Sequence, residues 1–284
     1  MKRRMRCDCH VHIVGTASRY PQVVDRTYLA DVATLKQLEA ASAPRAIRRF
    51  VIVQPSFYGT DNSLLLEALA ELGGRGRGVA VVNPETISAR TLATYADQGI
   101  RGVRLNLYSP LRDRAPLSRR FADVVDLARG IDWHIEVIAP LEILVENAAL
   151  LASSRVPIVI DHYGLYAGFQ PGQGEGRALL ELVALPHIWI KLSAPYRVSA
   201  NHLATRPDPA WLAAILMRSS ERCVWGSDWP HTPPHHEHAG SATISPYRNL
   251  RYAALVDDFI DAVGSDEQVE KTLSDNPTRL YGFE

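Results

Sequence analysis

Cysteine is scarce in this sequence: three residues in 284, an odd number. No disulfide framework can be built from them, and a reducing compartment, the cytoplasm, is the expected location. Neither sign of charge is in excess. Lys+Arg and Asp+Glu are each 31, so the formal net charge is zero, and the basic field that holds a phosphate backbone is missing. Nucleic acid is therefore not an expected partner. No run of about 18 apolar residues escapes interruption by charge, so no membrane partner is expected either. The start Met1-Lys2-Arg3-Arg4 imitates a secretory leader, but Asp8, His10 and His12 break the apolar run that export requires. Several signatures of chemistry are also absent. There is no Gly-x-Ser-x-Gly nucleophile elbow and no His-Glu-x-x-His helix. The glycines between Gly73 and Gly78 precede a strand pattern instead of linking strand to helix, so they are not a dinucleotide fingerprint.

What the chain does have is an alternation of short β-branched or aromatic runs with helical patterns. The runs are Arg6–Ile13, Phe50–Gln54, Gly78–Val82, Gly102–Leu107, His134–Ile138, Pro157–Asp161, Ile188–Leu192 and Cys223–Ser227. Helical periodicity fills Ser63–Leu72, Thr91–Gln98, Phe121–Arg129, Leu141–Ala152, Arg177–Leu185 and Pro209–Arg218, and Leu250–Val263 follows the last run. Asn62-Ser63 and Asp208-Pro209 read as helix starts. Eight strands with crossover helices predict an α/β protein, a (β/α)8 TIM barrel formed by residues 1–284 as a single domain. An open doubly wound sheet is the alternative.

The residues that carry chemistry cluster at the ends of these runs. In Asp8-Cys9-His10-Val11-His12, regular alternation would put Asp8, His10 and His12 on the barrel's inner face, with Cys7 and Cys9 facing the helices. Polar groups there are costly to bury unless paired or bound to something. Trp225-Gly226-Ser227-Asp228-Trp229-Pro230 places an acid at the mouth, where barrel enzymes keep their active sites. Ile160-Asp161-His162 supplies a third imidazole, with Asp161 read as an orienting or structural acid. Glu136 lies inside an apolar strand and reads either as a deep metal ligand or as a carboxylate paired in the barrel floor. Arg104, Arg112 and Arg197 offer guanidinium forks suited to carboxylates. The loop His235-His236-Glu237-His238 looks metal-like but reads as a solvated cover over the mouth.

Together with Val53–Asn62, Arg101–Asn106 and Lys191–Arg197, these segments resemble the amidohydrolase superfamily of the amidohydrolase 2 type. The similar branch is that of 2-pyrone-4,6-dicarboxylate hydrolases and related sugar-acid lactonases and isomerases. The resemblance implies a hydrolase that opens a small lactone or cyclic carboxylic ester. In it, His10, His12 and His162 polarise the carbonyl and Asp228 takes a proton from the attacking water. It further implies substrate contacts from Ser56, Arg104, Arg112, Tyr196 and Arg197. Leu165 stands where the dicarboxylate hydrolases carry an arginine, so a substrate with fewer charges is expected. No cofactor is expected to be required. The alternative is one divalent metal such as zinc or manganese on His10, His12, Glu136 and Asp228. A metal-dependent decarboxylase or isomerase, and a non-catalytic barrel that binds small acids, are the competing functions. A homo-oligomer is left open.

Overall fold

The computed structural model describes residues 5–108, 116–233 and 243–284. Eight parallel strands, β1 (Arg6–Val11), β2 (Ile47–Val53), β3 (Gly76–Ala80), β4 (Ile100–Asn106), β5 (His134–Ile138), β6 (Ile158–Ile160), β7 (Ile188–Ser193) and β8 (Cys223–Gly226), pair in sequence order. The ring closes just past β8. The His12 amide donates to the Trp229 carbonyl at 2.8 Å and the Asp228 amide to the His10 carbonyl at 2.9 Å. This is a (β/α)8 barrel, the expected fold. Among the described residues, no helix is long and apolar enough to cross a membrane.

Helices α1 (Leu35–Ser42), α2 (Ser63–Leu72), α3 (Ala89–Asp97), α4 (Leu117–Gly130), α5 (Leu141–Glu146), α6 (Ala148–Ala152), α7 (Gly174–Val183) and α8 (Pro209–Ser219) lie between the strands. They are followed by α9 (Tyr252–Val263), α10 (Asp266–Glu270) and α11 (Asn276–Tyr281). The single helix expected over Leu141–Ala152 is two, divided at Asn147. Asp208 caps α8 as its sequence suggests, accepting from the Ala210 and Trp211 amides. Asn62 does not cap α2. Its side chain is buried and exchanges hydrogen bonds with the Val81 backbone, while Asp61 accepts from the Ser63 amide at 3.1 Å.

The first strand departs from regular pleat, and the departure corrects one expectation. Asp8 pairs with Phe50 and Val11 with Ile52, so three steps on β1 face two on β2, a bulge that offsets the opposite shift between Arg6 and Cys7, where one step faces two. Parity therefore changes within the strand. Cys7 and Cys9 turn inward and pack with Val51, Val53, Val79 and Val224. Asp8 does not share the inner face with the histidines. Its Oδ2 accepts from the Tyr252 hydroxyl at 2.8 Å, at the start of α9, and its Oδ1 from the Ser227 amide at 2.9 Å. His10 and His12 both face inward. Gly226 makes room for the bulge, since a Cβ there would fall 2.7 Å from the His10 Cβ.

Burial pushes the Asp8 carboxyl up to about 6, against the lowering effect of the Ser227 and Tyr252 hydrogen bonds. Tyr252→Phe would leave a buried carboxylate oxygen without its donor. The expected cost is about 1–3 kcal/mol of stability, read as a lower midpoint in urea with an unchanged slope.

The opposite end of the barrel is closed by the C-terminal segment. Tyr281 and Phe283 join the interior cluster. Arg77 donates to the carbonyls of Tyr281 and Gly282, at 3.1 and 2.7 Å, and the Arg49 and Arg77 guanidinium groups lie 4.9 and 4.6 Å from the Phe283 ring centre. Access to the interior is therefore from the mouth.

Candidate active site

The C-terminal strand ends bring side chains from distant parts of the sequence around one point. From β1, His10 Nε2 and His12 Nε2 lie 3.3 Å apart. From the turn after β8, Asp228 Oδ1 lies 3.7 Å from His10 Nε2 and 3.4 Å from His12 Nε2. From beyond β6, the His162 ring stands 4.6 Å from that of His10, centre to centre, and its Nδ1 is 2.9 Å from Ser193 Oγ. All four groups are buried. The backbone is held in the left-handed region at His162 (φ 49°), Ala194 (φ 53°) and Asp228 (φ 59°), directly after β6, β7 and β8. Non-glycine residues rarely adopt it, and such positions collect at functional sites.

A narrow cavity of about 20 Å³ opens onto three of these groups. His12, His162 and Asp228 line it, together with Ser56, Arg104 and Arg197, and with Tyr28, Asn106, Ile138 and Thr232. Ser56 stands in the turn after β2. Tyr196 does not line the cavity; its hydroxyl donates to Asp228 Oδ2 at 2.8 Å. Arg197 donates to the same oxygen at 2.7 Å and to Thr232 Oγ1 at 2.6 Å. The guanidinium expected to hold substrate is thus already paired with the candidate base. Arg104 donates to the Gln54 carbonyl at 3.0 Å and lies 3.7 Å from Asp161 Oδ2. Arg112 and the His235–His238 loop lie outside the described residues.

Beneath the cavity is a group the sequence reading named only within a motif. Lys191 of β7 is fully buried. Its ammonium pairs with Glu136, lies 3.5 Å from Asp161 Oδ1 and 3.1 Å from His10 Nδ1. A lysine between Ile190 and Leu192 was the available signal. Tyr28 gave none, because its segment has no acid or imidazole ending a barrel strand beside it, whereas Thr232 follows His231 and Asn106 ends the strand of Arg104.

Electrostatics divide these groups into two classes. Burial, reinforced by the charge of Lys191, holds the His10 imidazole well below its ordinary value, and burial brings His162 to about 3. Burial would raise Asp228, but Arg197, His162 and His10 outweigh it and hold this carboxyl well below the usual carboxylate range. Asp161 behaves likewise, with His10 and Lys191 overcoming burial. Glu136 is the exception: burial and the negative charge of Asp161 push it up to about 7 against the pull of Lys191. At neutral pH the site presents the neutral imidazoles of His10 and His162 beside an ionised Asp228.

The atoms His10 Nε2, His12 Nε2 and Asp228 Oδ1 are spaced as a group that could hold a metal ion. Their separations approach the roughly 3.4 Å edge of a tetrahedron with bonds of about 2.1 Å. Glu136 is not part of that group. Lys191 has taken it, so of the four-residue set named from the sequence only three converge. A second group of His10, Asp161 and His162 shares the first histidine.

The model of the amidohydrolase family matches residues 7–283. The chain belongs to that family. This amidohydrolase is 27% identical to the 4-sulfomuconolactone hydrolase of Hydrogenophaga intermedia, over 97% of its own length and 88% of the relative's. It is 28% identical to the 2-pyrone-4,6-dicarboxylate hydrolase of Comamonas testosteroni, over 96% and 89%. A solved structure from Acinetobacter baumannii, described as a probable 2-pyrone-4,6-dicarboxylic acid hydrolase with citric acid bound, aligns at a TM-score of 0.76 with 27% identity. That alignment covers 98% of this chain and 100% of the other.

Proposed function

We propose that this amidohydrolase opens a small lactone, or a similar cyclic carboxylic ester, that carries at least one anionic or hydroxyl substituent. The observation that carries this reading is the position of Asp228 Oδ1. It is buried, has no hydrogen-bond partner and faces two imidazole nitrogens at the cavity, while Oδ2 is fully engaged by Tyr196 and Arg197. Oδ1 is the oxygen left to take a proton. The lactone hydrolases among the relatives, matched over nearly the full chain, support the substrate class.

In the reaction, water bonds to the carbonyl carbon and gives its proton to Asp228 Oδ1. The oxyanion that forms is stabilised by imidazole N–H donors in a site with little water. The C–O bond of the ring then breaks, and the departing alkoxide recovers the proton from Asp228, leaving an open hydroxy acid. Arg104, Ser56 and the free edge of Arg197 bind the substituent. Leu165, at the place of an arginine in the dicarboxylate hydrolases, favours a substrate with one fewer anionic group. A divalent ion held by His10, His12 and Asp228 would supply a more acidic bound water, but a proton on His10 Nε2 would not suit the donor set to one.

The test is a panel of small lactones followed by acid release, with and without prolonged chelation. The expected result is turnover of an anionic lactone that chelation leaves intact. Loss of activity on chelation with recovery on adding zinc or manganese would falsify the metal-independent route, and inertness toward the whole panel would remove the lactone reading.

A further inference from the structure

The three atoms spaced for an ion can serve as ligands only if His10 Nε2 offers a lone pair. A neutral imidazole carries one N–H, so that lone pair exists only when the proton sits on Nδ1. The neighbour of Nδ1 decides the matter. Lys191 Nζ is 3.1 Å from it, in a wholly buried position between the carboxylates of Glu136 and Asp161. An ammonium has three donors and no acceptor, so this contact uses the Nδ1 lone pair and leaves the ring proton on Nε2. Asp161 Oδ1, 3.3 Å from Nδ1, would favour the opposite arrangement, but the ammonium is the nearer partner and itself draws that oxygen, 3.5 Å away.

The second histidine fits the same pattern. His12 Nδ1 is 2.7 Å from the Val53 carbonyl, which only accepts, so His12 keeps its proton there and turns the Nε2 lone pair inward. His12 Nε2 and Asp228 Oδ1 then face each other across 3.4 Å as two acceptors. The His10 Nε2–H donates to His12 Nε2 at 3.3 Å and places its positive end 3.7 Å from Asp228 Oδ1, easing the approach of the two acceptors.

We propose that Lys191 is a positioning residue that fixes His10 as the Nε2–H tautomer, making it a hydrogen-bond donor at the reaction centre and disqualifying it as a ligand for a divalent cation. Glu136 serves by holding the ammonium against the ring. The inference rests on the proposed hydrolytic site only for what the Nε2–H donates to; the tautomer itself involves no substrate.

The experiment is ¹⁵N NMR of ring-labelled protein, with the His10 signals assigned by their loss in His10→Gln. It needs no turnover, so its result is independent of the lactone panel. The wild type is expected to show an unprotonated Nδ1 and a protonated Nε2, and to retain no zinc after incubation and dialysis. K191M alone would strand Glu136 as a buried anion, so the informative variant is K191M/E136Q. It is expected to move the His10 proton to Nδ1 and to retain about one zinc per chain. K191R, still donor-only, is expected to keep the wild-type tautomer. A proton on Nδ1 in the wild type, stoichiometric zinc in the wild type, or a folded double variant with the wild-type tautomer and no zinc would each overturn the proposal. If the double variant does not fold, the wild-type spectrum alone decides.

Discussion

Asp228→Asn is expected to lower kcat on the responsive lactone by about 10³-fold, within the range for loss of a general base. KM should change little. The amide keeps the shape of the carboxylate and an acceptor for the Tyr196 and Arg197 donors that now bind Oδ2. What it cannot do is take a proton at the position of Oδ1. An unchanged melting transition must accompany the loss, because the variant also leaves Arg197 without a counter-charge in a buried place. Activity within a few-fold of the wild type would end the case for Asp228 as base.

Arg197→Met is expected to alter both kinetic constants, and pH separates the two effects. Arg197 is the strongest of the charges that hold the Asp228 carboxyl below its ordinary value of 3.8 in spite of burial. The catalytic form is the carboxylate, which exists above that depressed value. In the wild type, protonation of Asp228 therefore limits the rate only at pH well under 4. Without Arg197 the effect of burial is less opposed, and the acid limb of kcat/KM should climb toward or past 3.8. Loss of the charged contact to the substrate should add an increase in KM of about 10-fold or more, the equivalent of roughly 1.5–3 kcal/mol for a hydrogen bond to a charged group. A higher KM with an acid limb that has not moved would mean that Arg197 touches substrate but does not set the state of the base. The ion pair has its own stability signature. Its contribution is complete above the unfolded carboxyl's pKa and is lost as pH falls through the depressed folded value, so the variant should forfeit most stability near neutrality.

Both arguments concern residues that the sequence brings into view by position alone. The fold was legible because most barrel strands are apolar runs ending near a polar residue, and the spacing of those runs leaves room for helices between them. Asp228, His162, His10 and His12 were legible for the same reason: a charged or imidazole side chain that ends or interrupts such a run is expensive to bury without a purpose. Partnership was much harder to read. Nothing local announces that Arg197 binds Asp228 across the turn, that Tyr196 spends its hydroxyl on the same oxygen, or that Glu136 belongs to Lys191, since each pair joins different strands. Capping roles were less legible than bounds: α2 spans Ser63–Leu72 as expected, yet the Asn62 amide serves the Val81 backbone in place of its own helix.

The bulge in β1 has an effect on the whole interior. Toward the mouth the barrel encloses the carboxylates Glu136, Asp161 and Asp228 and the cations Lys191, Arg104 and Arg197, each linked to at least one opposite partner. An unbroken pleat would have swung Asp8 in among them as a fourth anion with no cation to answer it. The locally surplus residue turns that carboxyl to the helix layer, where a tyrosine hydroxyl and a backbone amide receive it, and leaves the three acids of the chamber facing three cations before any substrate arrives.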